Sequence, residues 1–304
     1  MKIAAITITY NDDYKLKEWV SHYQLYKDDV YLHIIVDNGS SPEYVKKLEQ
    51  FFHESHIIKR NSNGGCTESY NDGIKYALEK NEIDAIMLIG NDLKLLNGGL
   101  SQLHAFLYST IEYGMVAPVM LKKDSTIVED FGCEISKTLK MLAYDVDMDI
   151  NKVKIDSRIS TSVTGGMNMA SREFYNEVGL QDEDLFMYSD EVDMGLRAKK
   201  TRFKMAVTKK VLSWHQHINP PNSKGRYGFS TFLINRNKIY LGYKHFGIYR
   251  AFYIFLNQLF KLPLIILVNI KNEKTKHIIY YILGSFFGIL KIKSNYKFII
   301  ENKI

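Results

Sequence analysis

Four short runs rich in β-branched and other apolar residues recur through the first third of the chain: IAAITIT (3–9), YLHIIVD (31–37), HIIKR (56–60) and DAIMLIG (84–90). A polar loop follows each of the first three, and then a stretch suited to a helix: Lys15 to Tyr26, Glu43 to Phe52 and Thr67 to Glu79. Strands alternating with helices predict βαβ units and a parallel sheet, hence an α/β fold. The runs are continuously apolar rather than alternating, which fits strands buried on both faces. In such sheets ligands bind outside the carboxyl ends of the strands. That rule gathers the loops TYNDD (9–13), DNGSS (37–41), NSNGG (61–65) and GND (90–92) on one edge. Thr9, Tyr10, Asn11, Asp37, Asn38, Asn63, Gly65, Asn91 and Asp92 all lie in them.

Beyond this the pattern weakens. Residues from about Val119 to Ile159 read as short strands and loops. TSVTGGMNMASREFYNEVG (161–179) reads as strand, turn and helix, with Gly165 and Gly166 marking a close backbone approach. DLFMYSDEVDMGLRAKK (184–200) is a loop entering a helix, and KMAVTKKVLSWHQH (204–217) is a strand ending in histidines.

Several of these residues are suited to chemistry. In IMLIGNDLKLL (86–96) an apolar run breaks on Gly90, Asn91 and Asp92 and then resumes. Asn-Asp there is either a plain turn or a strand-end carboxylate able to hold a hard divalent ion, whose other positions go to phosphate oxygens and water. NSNGGCTESYNDG (61–73) is glycine-rich and precedes a helix, but it lacks the Gly-Lys-Ser/Thr ending of a P-loop. It serves either as a connecting turn or, through Asn63, Gly65, Asn71 and Gly73, as a close approach to a sugar or phosphate. SDEVD (189–193) sets three acids at a helix start, where they suit the macrodipole. Asp193 can pair with Arg197 four residues on. That leaves Glu191 and Asp190 as candidate general bases, since clustered acids raise one another's pKa. His215 and His217 alternate at a strand end and are candidate metal ligands beside Asp92.

Charge is unevenly distributed. From Lys209 onward there are 16 Lys and Arg against two acids, Glu273 and Glu301, whereas the preceding residues hold 24 against 32. The basic part also carries IYRAFYIFLNQLFKLPLIILVNI (248–270) and IIYYILGSFFGIL (278–290). Basic and strongly apolar together point to an anionic membrane surface rather than to nucleic acid. The first segment is interrupted by Arg250, Asn257, Gln258 and Lys261, and the second is short for a span, so helices lying in the interface are expected. Buried core helices, a hairpin through the bilayer and burial between subunits of a homo-oligomer are the alternatives. Two cysteines, Cys66 and Cys133, and a start that leads straight into a strand predict a cytosolic compartment, peripheral on the cytoplasmic face of the membrane.

Taken in order, these segments resemble family 2 glycosyltransferases of the GT-A fold. ITITYN and IIVDNGSS are similar to that family's opening strand and nucleotide-edge loop, and NSNGGCTESYNDGI to its Asn-Gly and Asn-x-Gly segment. LIGNDLKL stands where its DXD-type motif falls. TGGMNMASREFYNEVGLQDEDLFMYSDEVDMGLRAKK is similar to the acceptor-side stretch with its acidic helix start. INRNKIYLGYKHFG (234–247) is similar to the membrane-associated end of rhamnosyltransferase-like members.

The resemblance implies a GT-A catalytic domain over 1–217 with a Rossmann-like, mostly parallel sheet. A helical membrane-association or oligomerisation region follows over 218–304. It implies Thr9 and Asp37 near the ribose and nucleobase, with Tyr10, Asn11, Asn38, Asn63, Gly65, Asn71 and Asn91 also on the donor side. Asp92 and His215 would hold Mn2+ or Mg2+ on the diphosphate. Gly165, Gly166 and Asp193 would face the acceptor, and Glu191 would be the base. Two positions depart from the family pattern: the DXD-type motif is reduced to Gly-Asn-Asp, and the acidic pair reads Asp-Glu, which keeps Asp190 as an alternative base. The activity so implied is inverting transfer from a nucleotide sugar, with a UDP or dTDP sugar as donor and a saccharide or lipid-linked saccharide as acceptor. The rivals are a nucleotidyltransferase, against which the acidic TYNDD loop argues, and a non-catalytic sugar-binding scaffold at the membrane.

Overall fold

In the first third of the chain β1 (Ile3–Thr9), β2 (Leu32–Asp37), β3 (His56–Lys59) and β4 (Ala85–Ile89) alternate with α1 (Asp13–Tyr23), α2 (Pro42–Phe51) and α3 (Gly65–Leu78). The structure is a computed structural model that describes residues 1–218, 226–271 and 275–291. The four strands are parallel neighbours, with Thr9 opposite Asp37 and Asp37 opposite Lys59, so their carboxyl ends are level. All five residues of β4 are buried, as its continuous apolar run predicts. Local signals set the helices. Ser41 caps α2 by accepting from the Tyr44 amide at 3.3 Å, with Pro42 in the first turn. Leu16 and Trp19 of α1 pack with Tyr44 and Leu48 of α2 over Ile35.

The second half completes the sheet. Its elements are β5 (Leu93–Leu95), α4 (Gly99–Leu107), β6 (Tyr113–Lys122), β7 (Val128–Asp130), β8 (Cys133–Ile135), β9 (Met141–Ala143), β10 (Ser157–Ser160), β11 (Met167–Ser171), α5 (Arg172–Val178), α6 (Asp190–Ala198) and β12 (Lys204–His215). Among the described residues the main path runs β10-β12-β6-β11-β4-β1-β2-β3, with β5 on β12 and β7 on β6. β6 and β12 are parallel, and β11 runs antiparallel between β4 and β6. The expected α/β fold, with a parallel half formed by the first four strands, is thus present. In 161–179 the strand follows the Gly165-Gly166 turn rather than preceding it.

The sequence pattern predicts neither α4 nor β6, although β6 is a ten-residue central strand. Pro118 hides it, because proline argues against a central strand. It is tolerated where β6 is least tied. Pairing with β11 stops at Val116, pairing with β7 begins at Met120, and the β12 ladder is irregular between Thr208 and Leu212.

Among the described residues three helices follow: α7 (Arg226–Phe246), α8 (Ile248–Lys271) and α9 (Thr275–Ile289). Of the expected 218–304 region, residues 219–225, 272–274 and 292–304 lie outside the described residues. The boundary expected at 217 does not separate the helices from the sheet domain. On α7, Asn237 donates to the carbonyls of Leu185, Met187 and Tyr188 at 2.9–3.1 Å, and Arg236 to that of Asp184 at 2.8 Å. Lys244 and His245 each lie 2.7 Å from Asp193. α7 is therefore built into the body that carries α6. α8, by contrast, turns its apolar side outward: Gln258 is 5 % exposed while neighbouring Phe260 is 86 % exposed. Sequence reading takes its polar residues as interruptions, but the helix is continuous and, by length and composition alone, apolar enough to cross a bilayer.

Candidate active site

Register brings the site together. β12 pairs antiparallel with β5, His215 opposite Leu93, so His215 arrives beside Asp92. Its Nε2 lies 3.8 Å from Asp92 Oδ1. β7, held on β6, delivers Glu129, whose Oε1 is 2.9 Å from His215 Nδ1 and whose Oε2 is 2.8 Å from His217 Nε2. The β4–β11 ladder continues as Gly90 N–H to Gly166 O at 2.8 Å, placing the Gly165-Gly166 turn against the end of β4. A Cβ built on Gly165 would stand 3.4 Å from Glu191 Oε2 and 4.0 Å from Asp190 Oδ2. Asp92, His215, the glycine pair and the acidic pair thus converge on one strand-end region, though they are up to 123 positions apart in sequence (Asp92 to His215).

Two cavities flank Gly90. One, of about 210 Å3, is lined by the expected donor-side residues Thr9, Tyr10, Asn38, Asn63, Gly65 and Asn91, together with Asp12, Lys15 and Met187. The other, of about 270 Å3, is lined by Asp92, Glu129, Asp130, Thr164, Gly166 and His215. Asp37 sits at the end of β2, buried, with Oδ1 lacking any hydrogen-bond partner. A buried carboxylate oxygen left open is costly unless a ligand meets it. Thr9 Oγ1 is 2.5 Å from the Tyr44 hydroxyl. Asn11, at φ 50°, braces the neighbouring loop by accepting from the Ser41 amide and donating its own N–H to Ser40 Oγ, each at 2.9 Å. Asn38 and Asn63 build the glycine turn: Asn38 donates to Asn63 Oδ1 at 2.9 Å and to the Gly65 carbonyl at 3.1 Å. Gly65 has φ +80° and lies so close to the Phe186 carbonyl that a Cβ would overlap it.

Three expectations are corrected. Asn71 is buried, and its amide is spent on Gln181 and Glu183, tying α3 to the loop before α6. Gly73 is required by packing, since a Cβ there would come within 2.6 Å of Ile6. Asp193 is fully buried and receives Arg197 Nε at 2.9 Å along with Lys244 and His245, so it fastens α6 to α7 and offers no surface to an acceptor. Its pairing with Arg197 is the one anticipated from spacing.

The electrostatics follow from burial and neighbours. Burial alone would raise the Asp92 carboxyl, but the His215 ring and the Lys15 ammonium outweigh it and hold the group below the ordinary carboxylate range. Burial would lower His215, yet Asp92 and Glu129 push it up to about 9. At the acidic pair burial dominates. It raises both groups, and the adjacent Asp190 carboxylate raises Glu191 further, well above the ordinary range. A carboxylate so placed holds a proton more avidly than one in water, which suits a general base.

The donor set fits a divalent ion. Lys15 Nζ occupies Asp92 Oδ2 at 3.0 Å, leaving Oδ1 toward His215 Nε2. Glu129 holds the other ring nitrogen, the outer-sphere arrangement that orients a metal-binding imidazole. Glu129, His215 and His217 also offer three ligand atoms within 4.8 Å of one another.

Lys15, Glu129 and the Arg236-Asn237 pair are not singled out by the sequence. Lys15 is a lysine one position from the buried Leu16, and Glu129 lies in the stretch where the strand pattern fades. Arg236 and Asn237 sit in INRNK, within the stretch similar to the membrane-associated end of family members. Their task is visible only in the structure. Phe186, Tyr188 and Ser189, just before the acidic pair, have φ of 63°, 68° and 64°. Left-handed backbone at such residues costs about 1 kcal/mol or more each. The hydrogen bonds from Asn237 and Arg236 hold this loop, and with it the start of α6.

The chain is similar to several known proteins. A hexosyltransferase of low-salt glycan biosynthesis, Agl10 from Haloferax volcanii, is 23 % identical over 67 % of this chain and 65 % of its own length. The dTDP-rhamnosyl transferase RfbF from Shigella flexneri is 26 % identical over 63 % of this chain and 60 % of its own. The chain thus spans less than two thirds of either relative. Among solved structures, the mannosyltransferase PcManGT from Pyrobaculum calidifontis, in complex with GDP-Man and Mn2+, superposes with a TM-score of 0.58 at 10 % identity, over 96 % of this chain and 88 % of its own. GalNAc-T7 with UDP, GalNAc and Mn2+ gives 0.57 at 13 % identity, over 71 % and 44 %. Both likenesses concern the fold. Residues 4–178, more than half of the sequence, match the model of glycosyl transferase family 2, and the chain belongs to that family.

Proposed function

We propose that the protein transfers a sugar, with inversion, from a nucleoside-diphosphate sugar to a hydroxyl of a saccharide acceptor. The observation that carries this reading is the convergence of Asp92 and His215 with the raised acidic pair at the carboxyl edge of the sheet, beside a cavity lined by Thr9, Asn38 and Asn63. Asp37, with its open Oδ1, receives the nucleobase side of the donor. Asp92 and His215 would hold Mn2+ or Mg2+, which when bound offsets negative charge on the leaving diphosphate. Lys15 adds a positive charge at the same edge. Glu191 takes the proton of the acceptor hydroxyl as it attacks the anomeric carbon, and Asp190 keeps the affinity of Glu191 for that proton high. The Gly165-Gly166 turn leaves room for the acceptor in front of both carboxylates. A dTDP or UDP sugar is the favoured donor, since one relative is named as a dTDP-rhamnosyl transferase. The outward apolar side of α8 favours a lipid-linked acceptor at the cytoplasmic leaflet.

The test is nucleotide release by the full chain over UDP, dTDP and GDP sugars, with and without Mn2+. The reading expects nucleoside diphosphate from one donor class, dependent on the ion and lost in Asp92→Ala. Pyrophosphate release from a nucleoside triphosphate and a sugar phosphate would make the protein a nucleotidyltransferase. Donor binding without turnover on any acceptor would make it a sugar-binding scaffold.

A further inference from the structure

Away from the site just described, a cavity of about 280 Å3 opens between α7, α8 and the turn joining β8 to β9. Each element contributes one lysine to its lining: Lys238, Lys261 and Lys140. Asn257, Thr138 and Asn235 add polar groups. Among the described residues no acidic side chain pairs with any of the three lysines, in a chain whose other basic residues frequently do. Lys238 shows the consequence. Burial first, then the charges of Lys261 and Lys140, make its ammonium easier to deprotonate. Three cations around one space without a counter-charge repel one another, so the unliganded arrangement is unfavourable and an anion would relieve it.

The cavity lies where α8 changes character. Lys261 lines it, while its neighbours Phe260 and Leu264 are exposed, and Gln258 and Ile254 are buried toward α7 and α9. A helix that turns its polar residues inward and its large apolar ones outward is arranged for an apolar solvent. An occupant that satisfies both halves carries an anionic group on an apolar chain. We propose that the Lys140–Lys238–Lys261 cavity binds the phosphate of a membrane lipid whose acyl or prenyl chain runs along the outward side of α8. This deepens the membrane-surface part of the proposed function and is independent of which sugar is moved.

The test is co-sedimentation of the full chain with phosphatidylcholine vesicles, with and without phosphatidic acid, in the absence of any nucleotide. Binding should be stronger to the anionic vesicles. Each lysine contributes roughly a fivefold factor, so Lys140→Gln, Lys238→Gln and Lys261→Gln together should weaken that binding about 10²-fold while leaving the weaker binding to neutral vesicles. Lys238→Gln alone should weaken it several-fold, and exposed Lys276→Gln on α9 should not. Unliganded Lys238→Gln should melt at or above the wild-type temperature, because it removes a repulsion. The proposal is overturned if Lys276→Gln costs as much as Lys238→Gln, which would mean diffuse surface attraction. Saturable binding of free pyrophosphate at least as tight as that of the vesicles would overturn it by making the occupant soluble. A fall in the Lys238→Gln melting temperature, or a salt-resistant oligomer that ignores vesicles, would overturn it as well. Because no donor is present, failure of the transferase reading leaves these outcomes interpretable.

Discussion

β4 and α8 are both strongly apolar segments, and the structure uses them in opposite senses. β4 buries every residue between neighbouring strands, and its chain turns polar only where it leaves the sheet, at Asn91 and Asp92. α8 keeps Gln258 inside and puts Phe260 and Leu267 outside. Apolar composition therefore does not identify a core; the direction of the few polar residues within the segment does. After β4 they mark the edge where the chain leaves the sheet, and in α8 Gln258 marks the side facing the protein. α7 lies between the two cases. It buries polar residues as well as apolar ones: Asn237 bonds the loop before the acidic helix, and Lys244 and His245 bond Asp193 within that helix.

The largest effect expected from this contrast is in the sheet. Ile86→Ala, at a fully buried position of β4, should destabilise by about 2–5 kcal/mol in urea unfolding. A loss under about 1 kcal/mol would mean that the sheet interior is looser than its burial indicates. Next comes the acidic helix start: Glu191→Gln should keep donor affinity and lower kcat by at least ~10²-fold, about 2.7 kcal/mol of barrier. If Asp190→Asn is crippled and Glu191→Gln is near normal, the roles within the pair exchange.

The α6–α7 fastening should appear as a pH dependence. Burial works against ionised Asp193, but His245, Arg197 and Lys244 outweigh it and bring the group to about 2, below the value of 3.8 for an unperturbed carboxyl. A depressed folded-state pKa stabilises above the unfolded value, and that contribution is lost as pH falls through the folded one. The stability gap between wild type and Asp193→Asn should therefore shrink by about 2 kcal/mol between roughly pH 4 and pH 2. A gap that stays constant across this window would remove Asp193 from the linkage. The smallest effect belongs to α8. Phe260→Ala should change urea stability in buffer by no more than about 0.5 kcal/mol. A loss like that of Ile86→Ala would show that the outward side is covered within a protein assembly, and the contrast between the two segments would fail.

The alternating strands and helices, the parallel edge and the placement of Thr9, Asp37 and Asp92 at strand ends are legible in the amino-acid order alone. These depend on local periodicity and on a rule that holds for any sheet of this kind. The Asp193–Arg197 pair is legible there too, because four residues make one helical turn. Tertiary structure alone decided which polar residues meet. Asn71 and Asp193 are chemically as suitable for a ligand as Asn63 and Asp190, but they point into contacts with residues far along the chain and are consumed there. Glu129 joins the site because strand register brings β7 to β6, and Lys15 because α1 packs beside β5; both are contacts between distant segments. The outward side of α8 is of the same kind. A helical period tells which residues share a side, but only the position of α7 and α9 fixes which side is left uncovered.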